Sequence, residues 1–169
     1  MLEQHLISKY LKKLSKNNSY ALNLNDDVFY DKSKKLVLSI DTYNDKVHFP
    51  NFQFPDLVIK KIIRSSISDL ICKGVKPKFY FLSASGPKGI FNKKSMKIIS
   101  SSLKDEQKKF NIKISGGDTS LSKNLSFTVV VCGYNKKIIR RNKSKINDDI
   151  YVTGYLGDSK FGLDLIKKK

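Results

Sequence analysis

Long apolar runs, cysteine, arginine and acid are all scarce in this chain of 169 residues, and each scarcity narrows its role. No apolar run approaches the ~20 residues that a membrane-spanning helix needs, so no membrane association is expected. The opening Met1-Leu2-Glu3-Gln4-His5 places an acid early, with no long apolar stretch behind it. That does not read as a secretory leader, and a cytoplasmic protein is expected. The two cysteines, Cys72 and Cys132, stand far apart without metal-ligand spacing, each within an apolar run. They read as buried thiols, and neither is nominated as a nucleophile. Arg64, Arg140 and Arg141 are the only arginines among 33 basic residues. A formal charge of +18 invites a nucleic-acid reading, since phosphate neutralisation drives non-specific binding. The lysines, however, are scattered along the chain in pairs such as Lys12-Lys13, Lys60-Lys61 and Lys108-Lys109. Nucleic-acid binders concentrate charge with aromatics or arginine forks, so this charge reads as solvated surface. Specific nucleic-acid binding is not expected, and a basic nucleic-acid-associated domain remains as an alternative of a different class.

What is present is a globular composition, 40% apolar, at a length that fits one domain or one domain plus part of another. Leu2, Leu6, Ile7, Leu11 and Leu14 have helical spacing over residues 2–14. Residues 35–41 alternate Leu36, Leu38 and Ile40 against Val37, Ser39 and Asp41, a half-buried strand with Asp41 at its exit. After an irregular loop over 44–55, Pro55 and Asp56 open a helix whose face is Ile59, Ile62, Ile63, Ile67, Leu70 and Ile71. Gly74 and Pro77 stop it, which puts Asp69 in its last turn, where the helix dipole disfavours a carboxylate and a cation would relieve it. Residues 79–85 predict a strand, Gly86-Pro87-Lys88-Gly89 a turn, and 95–109 a helix through Met96, Ile99 and Leu103. A short strand over 112–114 runs into Gly116-Gly117-Asp118, and alternating Leu125, Phe127, Val129 and Val131 form another strand ending at Gly133. A basic stretch over 135–148 reads as a linker, and Ile150-Tyr151-Val152-Thr153 as a new strand followed by a helix. A strand and one helix cannot bury a core, so this second unit is expected to be incomplete. The order of elements favours an α+β fold.

In so basic a chain, carboxylates at the ends of apolar elements point to something positive. Asp27, Asp41, Asp69 and Asp118 are such residues, and Mg²⁺ is the natural candidate because it takes oxygen ligands and shares them with phosphates. In Gly116-Gly117-Asp118-Thr119, two glycines after a strand let backbone N–H groups approach a phosphate. A turn is the equal alternative for that phrase. Asp27 beside Asp26 also fits a solvated turn, and His48 before Phe49 and Pro50 also fits a surface or packed residue.

The ordered combination resembles the N-terminal half of thiamine-monophosphate kinase, a family grouped with aminoimidazole ribonucleotide synthetase, selenophosphate synthetase and the hydrogenase maturation dehydratase. The matching phrases are Asn25-Asp26-Asp27-Val28-Phe29, Ser39-Ile40-Asp41-Thr42 through His48-Phe49, Ser68-Asp69-Leu70 through Gly74 and Pro77, Gly116 to Thr119, Arg141, and Asp148 through Gly162. The resemblance implies a four-stranded mixed sheet with helices on one face, dimerising through the sheet, plus the start of a second α/β domain. It divides the chain into an ATP- and Mg²⁺-binding domain over 1–136, a linker over 137–148 and the start of the second domain over 149–169. It implies transfer of the ATP γ-phosphoryl group to thiamine monophosphate. Asp27, Asp41, Asp69 and Asp118 would then bind metal, Gly117, Asp118 and Arg141 would bind ATP, and His48 would lie on the thiamine phosphate side. Asn25, Ile40, Asn142-Lys143-Ser144 and Asn147 depart from the family phrases. The alternative is a non-catalytic homologue that binds nucleotide or only dimerises.

Overall fold

The computed structural model of the chain describes residues 3–152 and 154–167. A short helix α1, Glu3–Leu6, runs into a π-helical turn, Ile7–Leu11, and a 3₁₀ segment follows at Ser19–Leu24. Five strands come next, with β1 at Phe29–Asp31, β2 at Leu36–Asn44, β3 at Pro77–Gly86, β4 at Lys113–Leu121 and β5 at Ser126–Tyr134. Three further helices are α2, Pro55–Ile71, α3, Lys93–Phe110, and α4, Asp158–Lys167. The sheet order is β1-β2-β5-β3-β4, antiparallel except for the parallel β3–β4 pair that α3 connects. The α+β fold with a mixed sheet is as expected, with five strands rather than four. The extra strand, β1, has only three residues, too few for alternation to register in the sequence. It is pinned by Asp31, whose carboxylate accepts from the Ser33 amide at 2.9 Å, the Ser33 hydroxyl at 2.6 Å and the Lys34 amide at 3.0 Å. That side-chain turn closes the β1–β2 hairpin.

The helix α2 builds the core. Pro55 starts it, with its missing N–H at a position that has no intrahelical partner, and Gly74 at φ +72° ends the following turn. Ile59, Ile62, Ile63, Ile67 and Leu70 are at most 2% exposed, and they pack on Val37, Tyr43, Phe127, Val129 and Val131 of the sheet. Each such side chain contributes about 1.5–3 kcal/mol by leaving water. Ile71, expected on the same face, is 52% exposed because it lies one step round the helix from Leu70. Cys72 at the helix end is likewise exposed, so the buried-thiol reading holds for Cys132 alone. Helix α3 is capped by the Asn92 side chain and held to α2 by a two-pronged Arg64–Glu106 pair at 2.7 and 2.8 Å.

The sheet corrects two expectations, on Asp41 and on Gly116 to Thr119, and decides which face of β2 is covered. Asp41 lies within β2 rather than at its exit, since Asn44 still pairs with Ser126. The more apolar set, Leu36, Leu38 and Ile40, faces away from α2, whereas Val37, Ser39 and Tyr43 are buried beneath it. Gly116 to Thr119 form neither a turn nor a loop after a strand, because β4 runs through them to Leu121. A Cβ at Gly117 would lie 1.9 Å from the carbonyl oxygen of Leu82, so the glycine serves the close approach of β3 and β4. The strand expected over Ile150–Thr153 is absent at residues 150–152, which have no ladder partner, and Thr153 lies outside the described residues, as does Leu2 of the first helical pattern. Residues 3–11 are helical as expected, yet Leu6 and Leu11 are more than 40% exposed.

Substituting Gly117→Ala is expected to lower stability by about 2 kcal/mol or more, read as a shifted urea midpoint. An unchanged midpoint would mean that the β3–β4 contact relaxes freely.

Candidate functional site

A cavity of about 760 Å³ opens beside the last turn of α2 and the middle of β2. Four aspartates, Asp26, Asp27, Asp41 and Asp69, line it, with Arg141, Asn142, Lys12 and the side chains of α1, Glu3 included. Each arrives by a different route. Asp26 and Asp27 follow the 3₁₀ segment, where Asn25 ends at φ −108°, a value that needs no glycine. Asp41 comes from the middle of β2 on its helix-facing side, and Asp69 from the last turn of α2. Arg141 arrives on the segment after β5, which is stitched to the first part of the chain. There the Asn135 amide donates to the Lys35 carbonyl at 2.8 Å and the Ile139 amide to the Lys73 carbonyl at 3.0 Å.

The electrostatics differ along the cavity. At one end Lys73, with a side chain 5% exposed, places its ammonium 2.6 Å from Asp26 Oδ1 and 3.9 Å from Asp27 Oδ2. The Arg141 amide donates to Asp26 Oδ2 at 3.3 Å, and its guanidinium bonds Asp27. Burial pushes the Asp26 carboxyl up, but the bonds from Lys73 and Arg141 outweigh it and hold the group below the ordinary carboxylate value. At the other end Asp69 accepts from the Ser39 hydroxyl at 2.8 Å, and Asp41 accepts from the Tyr43 hydroxyl at 3.1 Å. Burial, joined by the charges of Asp41 and Asp27, pushes the Asp69 carboxyl up despite the Ser39 bond. Such a group is relieved by a cation.

The structure therefore brings together Asp27, Asp41, Asp69 and Arg141 from the expected site residues. Asp118 and Gly117 stand elsewhere, on the edge strand β4. Asp118 pairs with Ser83, which pairs with Thr128, which pairs with Thr42, a row on the sheet face turned away from α2. His48 lines the cavity nowhere; its Nδ1 accepts from the Asn44 amide at 2.9 Å, and its ring meets that of Tyr43 edge-on. Sequence reasoning missed Asp26 as a charge partner, Ser39, Tyr43 and, above all, Lys73. A signal for Lys73 existed, because it sits three residues after Leu70 and so continues the buried stripe of α2.

An all-oxygen donor set under residual negative charge suits a hard divalent cation, and Asp27, Asp41 and Asp69 are the residues that could hold one. Among the described residues no three acids, thiols or imidazoles converge as a preformed metal cage. The donors fit Mg²⁺ in kind, and a bound phosphate would have to supply part of its shell.

A mixed sheet with helices on one face is the architecture of a known class. The family model for the AIR synthase related protein, N-terminal domain, matches residues 21–134, and the chain belongs to that family. Among its relatives are thiamine-monophosphate kinases. That of Buchnera aphidicola (subsp. Acyrthosiphon pisum) is 36% identical across 98% of this chain and 52% of its own length, and that of Haemophilus influenzae 32% across 98% and 52%. AaThiL, solved in complex with AMPPCP and TMP, superposes with a TM-score of 0.84 at 26% identity, covering 99% of this chain and 55% of that one. The crystal structure of thiamine monophosphate kinase from Aquifex aeolicus superposes at 0.77 and 28%, over 94% and 55%. The chain thus spans about half the length of the curated relatives it matches.

The opposed carboxyl shifts carry a sign. Asp69, raised in the folded state, favours folding when protonated, and that contribution is lost as pH rises through its raised value. Asp69→Asn is therefore expected to raise the thermal midpoint at pH 7 without divalent metal, and the gain should vanish below the ordinary aspartate range. Asp26, lowered, stabilises above the ordinary value and loses that as pH falls, so Asp26→Asn should lower the midpoint at pH 7. Midpoints measured from pH 3 to 8 check both; a gain for both variants at pH 7 would contradict the charge assignment.

Proposed function

We propose that this chain is the ATP- and Mg²⁺-binding portion of a thiamine-monophosphate kinase, which transfers the γ-phosphoryl group of ATP to a phosphate oxygen of thiamine monophosphate. The observation that carries the reading is the convergence of Asp27, Asp41, Asp69 and Arg141 on one cavity from four separate stretches of chain. The match to kinases along nearly all of this chain supports it, as does the likeness to a protein solved with AMPPCP and TMP.

In this reading Asp27, Asp41 and Asp69 would hold a divalent metal, which would supply the positive charge needed to screen the mutually repelling phosphates of donor and acceptor. The chain's own part is to position. Asp41 and Asp69 present oxygens on a rigid strand and a rigid helix end, held by the Tyr43 and Ser39 hydroxyls. Arg141 exchanges its bond to Asp27 for a phosphate and offers a forked donor to it. The proposal keeps Asp27, Asp41, Asp69 and Asp118 as metal residues, Gly117, Asp118 and Arg141 as ATP residues and His48 on the acceptor side. It also keeps residues 1–136 as the nucleotide domain, 137–148 as a linker and 149–169 as the start of a second domain. Asn147, at φ +75°, takes a left-handed linker conformation that asparagine tolerates.

The proposal includes a homodimer formed through the open sheet face. Its support is apolar surface: Ile40 is 67% and Phe81 41% exposed, and both pair with Val130 across the sheet. Asp118 and Gly117 belong to the sheet's edge strand, Asp118 on that open face, so they would meet a second copy rather than the cavity of their own chain. A cytoplasmic location is part of the same reading; among the described residues no helix is long and apolar enough to cross a membrane.

A second reading, a non-catalytic nucleotide-binding homologue, is favoured by one observation: Asp26 and Asp27 already hold protein cations. Calorimetric titration with AMPPCP, with Mg²⁺ and with EDTA, tests the shared core of both. Binding is expected with Mg²⁺ alone and is expected to weaken at least about tenfold in Asp41→Asn. Equal binding in EDTA would sink the metal assignment. Phosphoryl transfer to thiamine monophosphate separates the kinase from the binding protein. Ile40→Asp is expected to convert a dimer to a monomer in sedimentation, and an unaltered dimer would remove the sheet-face assignment.

A further inference from the structure

A buried lysine stands behind the acid cavity, on two of the carboxylates that line it. Gly74 turns the backbone at φ +72° just after α2, and the Lys73 carbonyl is taken by the Ile139 amide at 3.0 Å. The turn directs the Lys73 side chain inward, so that the residue is 4% exposed and its ammonium is 2.6 Å from Asp26 Oδ1. In a chain whose lysines otherwise read as solvated surface, this one has been taken out of water, and only a tight carboxylate partner offsets that cost. The Asp26 side chain is itself 3% exposed, so the pair is buried from both sides.

Two of the four aspartates of the cavity are met by protein cations, Asp26 by Lys73 and Asp27 by Arg141, and Glu3 and Lys12 on its wall add one charge of each sign. Among the described residues Asp41 and Asp69 have hydroxyl partners, Tyr43 and Ser39, and no ion pair. Before a phosphate takes Arg141, the charge left uncancelled among these four aspartates is two negative units, at Asp41 and Asp69, and the release of Asp27 by Arg141 adds a third.

We propose that Lys73 is a specificity-determining residue of this cavity, its ammonium taking the place of a divalent ion at Asp26 and leaving metal to Asp27, Asp41 and Asp69. The inference deepens the phosphoryl-transfer reading and rests on it for the identity of the ligand. It gives the cavity one permanent positive charge that does not depend on metal concentration, and it lowers the number of ions that the site takes.

The test counts bound Mn²⁺ on the full chain by the paramagnetic signal of the free ion. Lys73→Met, which keeps length and removes charge, is expected to bind one more Mn²⁺ than the wild type, with at least about tenfold tighter binding overall. Its thermal midpoint, lowered without metal, should recover on adding Mn²⁺. The double variant Asp26→Asn with Lys73→Met removes both charges and should return the count to the wild-type number; it also serves where the single variant does not fold. An unchanged count in Lys73→Met overturns the proposal, as does a count below the wild type in the double variant, which would mean that Asp26 holds metal already. Wild-type Mn²⁺ binding that survives Asp41→Asn undamaged counts instead against the phosphoryl-transfer cavity, and leaves the Lys73 comparison to be read on its own.

Discussion

The isoleucine stripe of α2, pressed on the middle of the sheet, holds everything else in place. Ile59, Ile62, Ile63, Ile67 and Leu70 lose nearly all contact with water against Val37, Val129, Val131, Tyr43 and Phe127. At about 1.5–3 kcal/mol each, that burial outweighs the polar interactions nearby. Because the stripe ends at Leu70, the residues on either side of it have no freedom to choose their direction. Asp69 is presented to Ser39 on β2, and Lys73, one turn on, is carried beneath Asp26. The cavity is thus a consequence of hydrophobic register, and its charges are placed by a helix that is held for other reasons.

Charge then divides the cavity. Opposite charges at one end cancel within the chain, and the carboxyl of Asp26 is held low. At the other end burial and like charge act together on Asp69, whose carboxyl is held high. A folded chain that keeps such a conflict stabilises poorly there and binds cations well. The helix dipole adds to the conflict, since Asp69 stands in the last turn of α2.

Much of this was legible in the residues. The face of α2, its start at Pro55, its stop near Gly74, the alternation of β5 and the order of carboxylate phrases all follow from periodicity and local chemistry, which a sequence carries directly. What failed, failed for physical reasons. The strand β1 is three residues long and exists because Asp31 closes a hairpin, a side-chain effect without period. Gly116 and Gly117 resemble a phosphate turn, yet a neighbouring strand needs the space at Gly117. The alternation of β2 announced two faces without naming which would be covered. The helices took the side with Val37, Ser39 and Tyr43 and left Ile40 outside.

By itself the sequence determined the class of fold, the core stripe and the identity of the carboxylates, because hydrophobic period and short phrases are local properties. Only the tertiary structure decided which of those carboxylates meet. Asp27, Asp41 and Asp69 lie along 43 positions of chain, and sheet register and helix packing bring them to one cavity, whereas Asp118 is carried to the edge strand on the opposite face. The spacing from Leu70 marks Lys73 as a stripe position, but only the fold sets its ammonium beside Asp26, because that contact joins stretches distant in sequence.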